Sequence, residues 1–154
     1  MSRTTDLGFY KCAKADSDNA RESMDCAVMA VSMATGTSYP ETLAAFTAAG
    51  RKPKHRTPMV ITDNVIAQLG YSLETIPREI WRNGPGAAKT VITAARRFDS
   101  GTYLLRSRGH ILCLKDGQAL DWAADRRLRM EMIYCVKRLA AEPTTHITEQ
   151  IALF

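Results

Sequence analysis

Three side chains in this sequence have the types and settings that nucleophilic chemistry needs: the thiol of Cys26, the imidazole of His110 and the carboxylate of Asp121. Cys26 opens the run DCAVMAVSMATG, at the first or second residue of a predicted helix. A thiol there feels the positive end of the helix dipole, which favours the thiolate, the form that attacks electrophiles. An adjacent imidazolium would favour it further. Asp25 opposes this, because a neighbouring negative charge raises a thiol pKa. Its side chain must therefore point away or be engaged in capping.

The imidazole and the carboxylate both fall in GTYLLRSRGHILCLKDGQALDW, residues 101–122. Asp-Gly at 116–117 supplies the positive φ values of a tight hairpin turn. With that turn, Lys115 pairs with Gln118, Leu114 with Ala119 and Leu112 with Asp121. His110 shares a face with Leu112 by the two-residue period. Asp121 is then a diagonal neighbour of His110, about 7–8 Å away at the backbone and within side-chain reach. Asp116 is excluded as the partner, since it lies about 20 Å along the strand from His110 at ~3.3 Å per residue. It belongs to the turn. Cys113 falls on the face opposite His110, so it is assigned, with Cys12 and Cys135, to packing. For Cys26, His110 and Asp121 the plain alternative is a small buried hydrophobe and a satisfied polar pair on a half-exposed sheet.

The elements that must position these groups follow from periodicity and punctuation. LGFYKCA reads as a short first strand, and Lys14 to Ser23 as a polar loop. The Cys26 helix is apolar nearly all round and therefore buried, with Cys26, Met29, Ala30 and Met33 on one stripe. Asp25 or Ser23 can cap its start and Gly36 its end. SYPETLAAFTAAG gives a second helix with Pro40 in its first turn, Leu43, Phe46 and Thr47 inward, and Gly50 after it. A basic, proline-broken loop, RKPKHRTPM, leads to a third helix over ITDNVIAQLG, with an Asp/Thr start. YSLETI alternates as a strand, TVITAARRF reads as a short helix, residues 101–122 give two strands, and RMEMIYCVKRL gives another. The expected fold class is α+β: one domain over 1–154, with N-terminal helices packed on a C-terminal antiparallel sheet. Within it, 1–20 are an N-terminal strand and loop, and 140–154 a weakly patterned tail.

Composition sets the outer limits. Of 154 residues, 45% are hydrophobic and 24% charged, which is globular rather than disordered. The formal charge of +5 is too mild to name a nucleic-acid partner. Its arginines and lysines gather at 51–56, 96–97, 106–108 and 126–129, scattered as a solvated surface would have them. Arg106 and Arg108 share a strand face with His110 and could meet an acidic substrate group. No apolar leader opens the chain and no run reaches the ~18 residues of a membrane span. The expected location is cytoplasmic, without membrane association. The four cysteines are then reduced thiols, and with no CxxC pair among them neither a metal nor another cofactor is expected. His55 reads as a solvated loop residue and the lesser candidate base, His146 as a tail residue, Trp122 as a core or lid aromatic, and Trp81 as a partly exposed loop aromatic.

In chain order, these pieces resemble the papain-like cysteine peptidases: a helix-opening Cys, a later Gly-His strand and an Asp past a hairpin turn. The likeness is nearest to small phage and bacterial members, carried by DCAVMAVSMATGTSYPE (25–41) and by residues 101–122, and it covers most of 20–122. It implies the papain-like fold. It also implies a cysteine hydrolase, a peptidase or isopeptidase/amidase, acting on a protein or peptide substrate through a thioester. Cys26 would be the nucleophile, His110 the general base and acid, and Asp121 the residue orienting the ring. The oxyanion hole would use the Cys26 backbone N–H and a side-chain amide shortly before it. That amide is usually a glutamine, which this sequence lacks there; Asn19 is the nearest substitute. Two other readings stand beside this one. One is a catalytically idle papain-like phage protein, a virion component or host-protein binder. The other is a basic nucleic-acid-binding module.

Overall fold

The computed structural model describes residues 3–139, with the side chains of Arg3 and Thr4 left aside. The chain begins with a helix, α1 (Arg3–Asn19), where the sequence suggested a strand over LGFYKCA and a loop from Lys14. The physical reason is the make-up of its inner stripe. Asp6, Tyr10, Ala13 and Ser17 recur at helical spacing and face inward, but two of them are polar, so the stripe carries little hydrophobic signal. Those two are satisfied through distant partners: Ser17 donates to Asp25 at 2.5 Å, and Asp6 lies 3.7 Å from the Lys115 ammonium.

Next comes α2 (Cys26–Thr35), buried from Ala27 to Ala34 and closed by Gly36 at φ 69°. Asp25 occupies its N-cap position without making a side-chain cap. In α3 (Tyr39–Ala48) the Ser38 hydroxyl caps the start and Pro40 sits in the first turn. Thr42 and Phe46 are buried, whereas Thr47, expected inward, is exposed. The helix presents 39, 42 and 46, so 47 lies off the buried stripe. The fourth helix, α4 (Met59–Gln68), starts after Pro58 rather than at an Asp/Thr cap. Thr62 lies inside it and is fully buried.

Five strands then build one antiparallel sheet: β1 (Tyr71–Thr75), β2 (Thr102–Ser107), β3 (His110–Lys115), β4 (Gln118–Leu120) and β5 (Met130–Arg138). Their spatial order is β1-β5-β2-β3-β4. The 101–122 segment therefore contributes three strands, not two, because Arg108 and Gly109 turn the chain between the paired Ser107 and His110. The β3–β4 hairpin has the expected register, with Lys115 opposite Gln118 and Leu114 opposite Ala119. Its turn residues, Asp116 and Gly117, take φ values of 48° and 77°. Asp116 accepts the Gly101 N–H at 2.9 Å and so belongs to the turn.

Both faces of the sheet are covered. One face carries Leu104, Ile111, Cys113 and Tyr134 against the α1–α4 side, with α2 lying on β3. The other carries Leu105, Leu112, Leu114 and Ile133 against Trp81, Val91 and Ala94 of the short helices α5 (Arg78–Trp81) and α6 (Val91–Arg97). Trp81, expected as a partly exposed loop aromatic, is only 1% exposed and donates its indole N–H to Ile76 O at 3.3 Å. Its local sequence is polar; the second layer that buries it is a tertiary feature. No helix among the described residues is long and apolar enough to cross a membrane. The tail from 140, with His146, lies outside the described residues.

A buried ion pair ties the loop before α2 to the loop between α3 and α4. The Arg51 guanidinium, 1% exposed, lies 3.2 Å from Glu22, 10% exposed. The same carboxylate accepts the Lys54 N–H, and Arg51 also reaches Ser23 O. Removing one partner strands the other charge, a loss of about 3–5 kcal/mol. Glu22→Ala is expected to lower stability by about that amount in urea denaturation, whereas Glu41→Ala, on an exposed helix face, costs under ~1 kcal/mol. Equal losses from the two variants would show that the pair holds nothing.

Candidate active site

The start of α2 and the start of β3 meet at one end of the sheet, and the three sequence-selected side chains come together there. His110 Nε2 lies 2.7 Å from Asp121 Oδ2, and both side chains are largely buried. The carboxylate is fixed a second time by the Ala123 N–H at 3.0 Å, because the chain turns immediately after β4. With Nε2 committed to Asp121, Nδ1 is the ring nitrogen left for the Cys26 thiol. The thiol and the ring are within side-chain hydrogen-bonding reach of each other.

The electrostatics of the pair follow from opposing causes. Burial alone would push the Cys26 thiol up. The hydrogen bond from His110, the backbone N–H groups of Ile111 and Ala27 and the imidazolium charge outweigh it, and the thiol lies below its ordinary value. Burial would likewise favour neutral imidazole. The Asp121 and Cys26 hydrogen bonds and their negative charges prevail, raising His110 to about 9. The arrangement favours a thiolate–imidazolium pair.

Two parts of this environment were not legible as side-chain motifs. The Ile111 N–H reaches the sulfur because the β3–β4 ladder stops at Cys113 opposite Leu120, which leaves the amide beyond it unclaimed. Asp25 is drawn off the thiol: its carboxylate accepts from Ser17 Oγ at 2.5 Å and from the Tyr39 hydroxyl at 2.7 Å. The sequence required Asp25 to point away or to be engaged in capping, and the residue makes no side-chain cap. The partners that hold it instead come from α1 and α3.

A cavity of about 560 Å³ opens on the thiol, with Cys26, His110 and Asp121 in its wall. Trp122 is 60% exposed and tilts over the imidazole with ring centroids 5.1 Å apart, so it is a lid aromatic rather than a core one. Met24, also exposed, lines the same rim.

Other candidates separate from the site. Asn19, the substitute for the oxyanion amide, is exposed at the end of α1 and does not line the cavity. Ser17 faces the site, and two residues further on a helix points about 200° away. Neither arginine shares the strand face of His110: Arg108 sits exposed in the β2–β3 turn, and Arg106 pairs with Ile111 while Ser107 pairs with His110, although Arg106 does line the cavity. His55 is exposed, its Nδ1 2.8 Å from Pro53 O, and stands outside the cavity wall. Cys113 is buried in the core, with its thiol pushed up to about 12 by burial. Burial also raises Cys135. Among the described residues, no group of three His, Cys, Asp or Glu side chains is placed to hold a metal ion.

Comparison with protein-family models, with curated proteins and with solved structures finds no match to this chain. What can be said of the site rests on its own geometry.

That geometry gives a direct chemical expectation. At neutral pH iodoacetamide alkylates Cys26 faster than exposed Cys12 and leaves Cys113 untouched in the folded protein. His110→Ala slows the Cys26 reaction severalfold, because it removes the hydrogen bond and the imidazolium charge that hold the thiol below its ordinary value. Equal labelling of Cys26 and Cys12, or indifference to His110→Ala, would contradict the arrangement.

Proposed function

We propose that this protein is a papain-like cysteine hydrolase, a peptidase or isopeptidase/amidase, with Cys26 as nucleophile. The observation that carries the reading is the 2.7 Å Asp121–His110 contact set behind a lowered, cavity-facing thiol. The helices-then-sheet order and the thiol at the start of a buried helix laid against the histidine strand support the papain-like assignment.

In the proposed reaction the Cys26 sulfur attacks the carbonyl carbon of an amide. The Cys26 N–H, without an intrahelical acceptor at the first turn of α2, faces the developing oxyanion. His110 gives its Nδ1 proton to the departing amine, and the C–N bond breaks to leave a thioester on Cys26. His110, now neutral, takes a proton from water, whose oxygen attacks the thioester. The acid product leaves and the thiolate–imidazolium pair returns. Asp121 holds the ring by Nε2 through both halves.

One observation favours a second reading, a papain-like module that binds without turnover. Among the described residues, none lining the cavity carries a side-chain amide, so the second oxyanion donor of the family has no counterpart. Loss of one such donor costs about 100–1,000-fold in rate.

Incubation with a peptide library, read by mass spectrometry, separates the two. The hydrolase reading predicts cleavage that Cys26→Ala abolishes and His110→Ala lowers by about 100-fold or more. Peptide retained without cleavage, with Cys26→Ala equally able to hold it, would support the binding module. The pH profile carries a sign. Activity rises as the thiol ionises, on the acid side of its ordinary value of 9.0, and falls as His110 loses its proton near pH 9. Asp121→Asn removes the largest upward influence on the ring, so the alkaline limb moves to lower pH. An unmoved limb would dissociate Asp121 from the histidine's charge state.

A further inference from the structure

We propose that the cavity beside Cys26 selects peptides with an acidic side chain, an aspartyl or glutamyl residue, whose carboxylate is held between Arg56 and Arg106. This assignment deepens the hydrolase reading and rests on it.

The argument is an inventory of charge in the cavity wall. Asp25 is occupied by Ser17 and Tyr39, and Asp121 by His110 and the Ala123 N–H. Lys14 is engaged by Asp18 at 3.0 Å. The remaining charged groups lining the cavity are Arg56, Arg106 and Glu131, none in an ion pair among the described residues. Two guanidinium groups without a carboxylate partner among the described residues thus stand in the wall next to the reacting thiol.

The two guanidinium groups reach the cavity from independent elements. Arg106 stands on β2, next to the Ser107–His110 pair. Arg56 comes from the loop that the Arg51–Glu22 ion pair and the Lys54 N–H hold against the approach to α2. Its guanidinium lies over the β2–β3 turn at Gly109, where an added Cβ would stand 3.3 Å from it. Gly109, at φ 74°, thus permits both the turn and the close passage of Arg56. Planar guanidinium groups match the two oxygens of a carboxylate. The exposed apolar rim of Met24 and Trp122 beside them suits a peptide rather than a bare small anion.

The test compares an anionic with a neutral alkylating reagent at Cys26. The ratio of iodoacetate to iodoacetamide rates reads the local field and can be taken whatever the absolute reactivity of the thiol. Arg56→Gln/Arg106→Gln together are expected to lower that ratio about five-fold or more at low salt, within the reach of unscreened charge. Lys52→Gln, which removes a charge outside the cavity, leaves the ratio unchanged. In the same protein a glutamate-rich peptide should protect Cys26 from iodoacetamide better than its glutamine counterpart. A ratio indifferent to the double variant, or protection by a single-stranded oligonucleotide and not by the acidic peptide, would overturn the acidic-peptide assignment. A Cys26 no more reactive than Cys12 towards iodoacetamide would instead strike the nucleophile assignment, so the two failures are distinguishable.

Discussion

The structure of this site depends on an imidazole held from both sides. Asp121 takes one ring nitrogen at 2.7 Å and the Cys26 thiol lies within reach of the other. Burial works against charge at each of these groups, so no single ionised group would be stable there alone. The charged form of the pair is favoured because each partner supplies what burial removes from the other. Such coupling is fragile: a buried ion that loses its partner costs more than the pair contributes. The surrounding fold can accordingly be understood as the means of holding three short side chains in register.

The means differ for each member. Cys26 is fixed because α2 is apolar on all sides and must lie in the core, against β3 on one side and the other helices elsewhere. His110 is fixed by the turn at Arg108–Gly109, which sets the first residue of β3 at the end of the sheet. Asp121 is fixed by the Asp116–Gly117 turn, whose register brings β4 to its end just before the carboxylate. The thiolate also receives backbone N–H groups from Ala27 and Ile111. These come without side-chain identity, through helix start and ladder end.

Much of this was legible in the sequence, for specific reasons. The α2 run is uniformly apolar, and Asp-Gly dictates a turn, so the buried helix and the hairpin register could be written down before the structure. The trio of Cys26, His110 and Asp121 follows from those elements and from chain order. Other features depended on tertiary partners that a local pattern does not encode. Helix α1 hides its inward face behind Asp6 and Ser17, whose partners lie on β3 and before α2. That misreading also misplaced Asn19, which a loop could have brought to the thiol but a helix turns outward. Trp81 looked exposed because its neighbours are polar, yet α5 and α6 form a second layer over the sheet. Arg108 looked like a strand residue because Arg-Gly is a weaker turn signal than Asp-Gly. The cavity wall gained Arg56 from a basic loop that had no visible reason to approach His110.

The proposed hydrolase chemistry requires a charged His110 at neutral pH. The most direct measurement is the titration of the His110 ring nitrogens by nitrogen-15 NMR in the resting protein. The account predicts an imidazolium that persists until about pH 9 and reverts toward the ordinary histidine value of 6.5 when Cys26→Ala and Asp121→Asn are combined. A ring already neutral at pH 7 in the unaltered protein would contradict the thiolate–imidazolium pair on which the account stands.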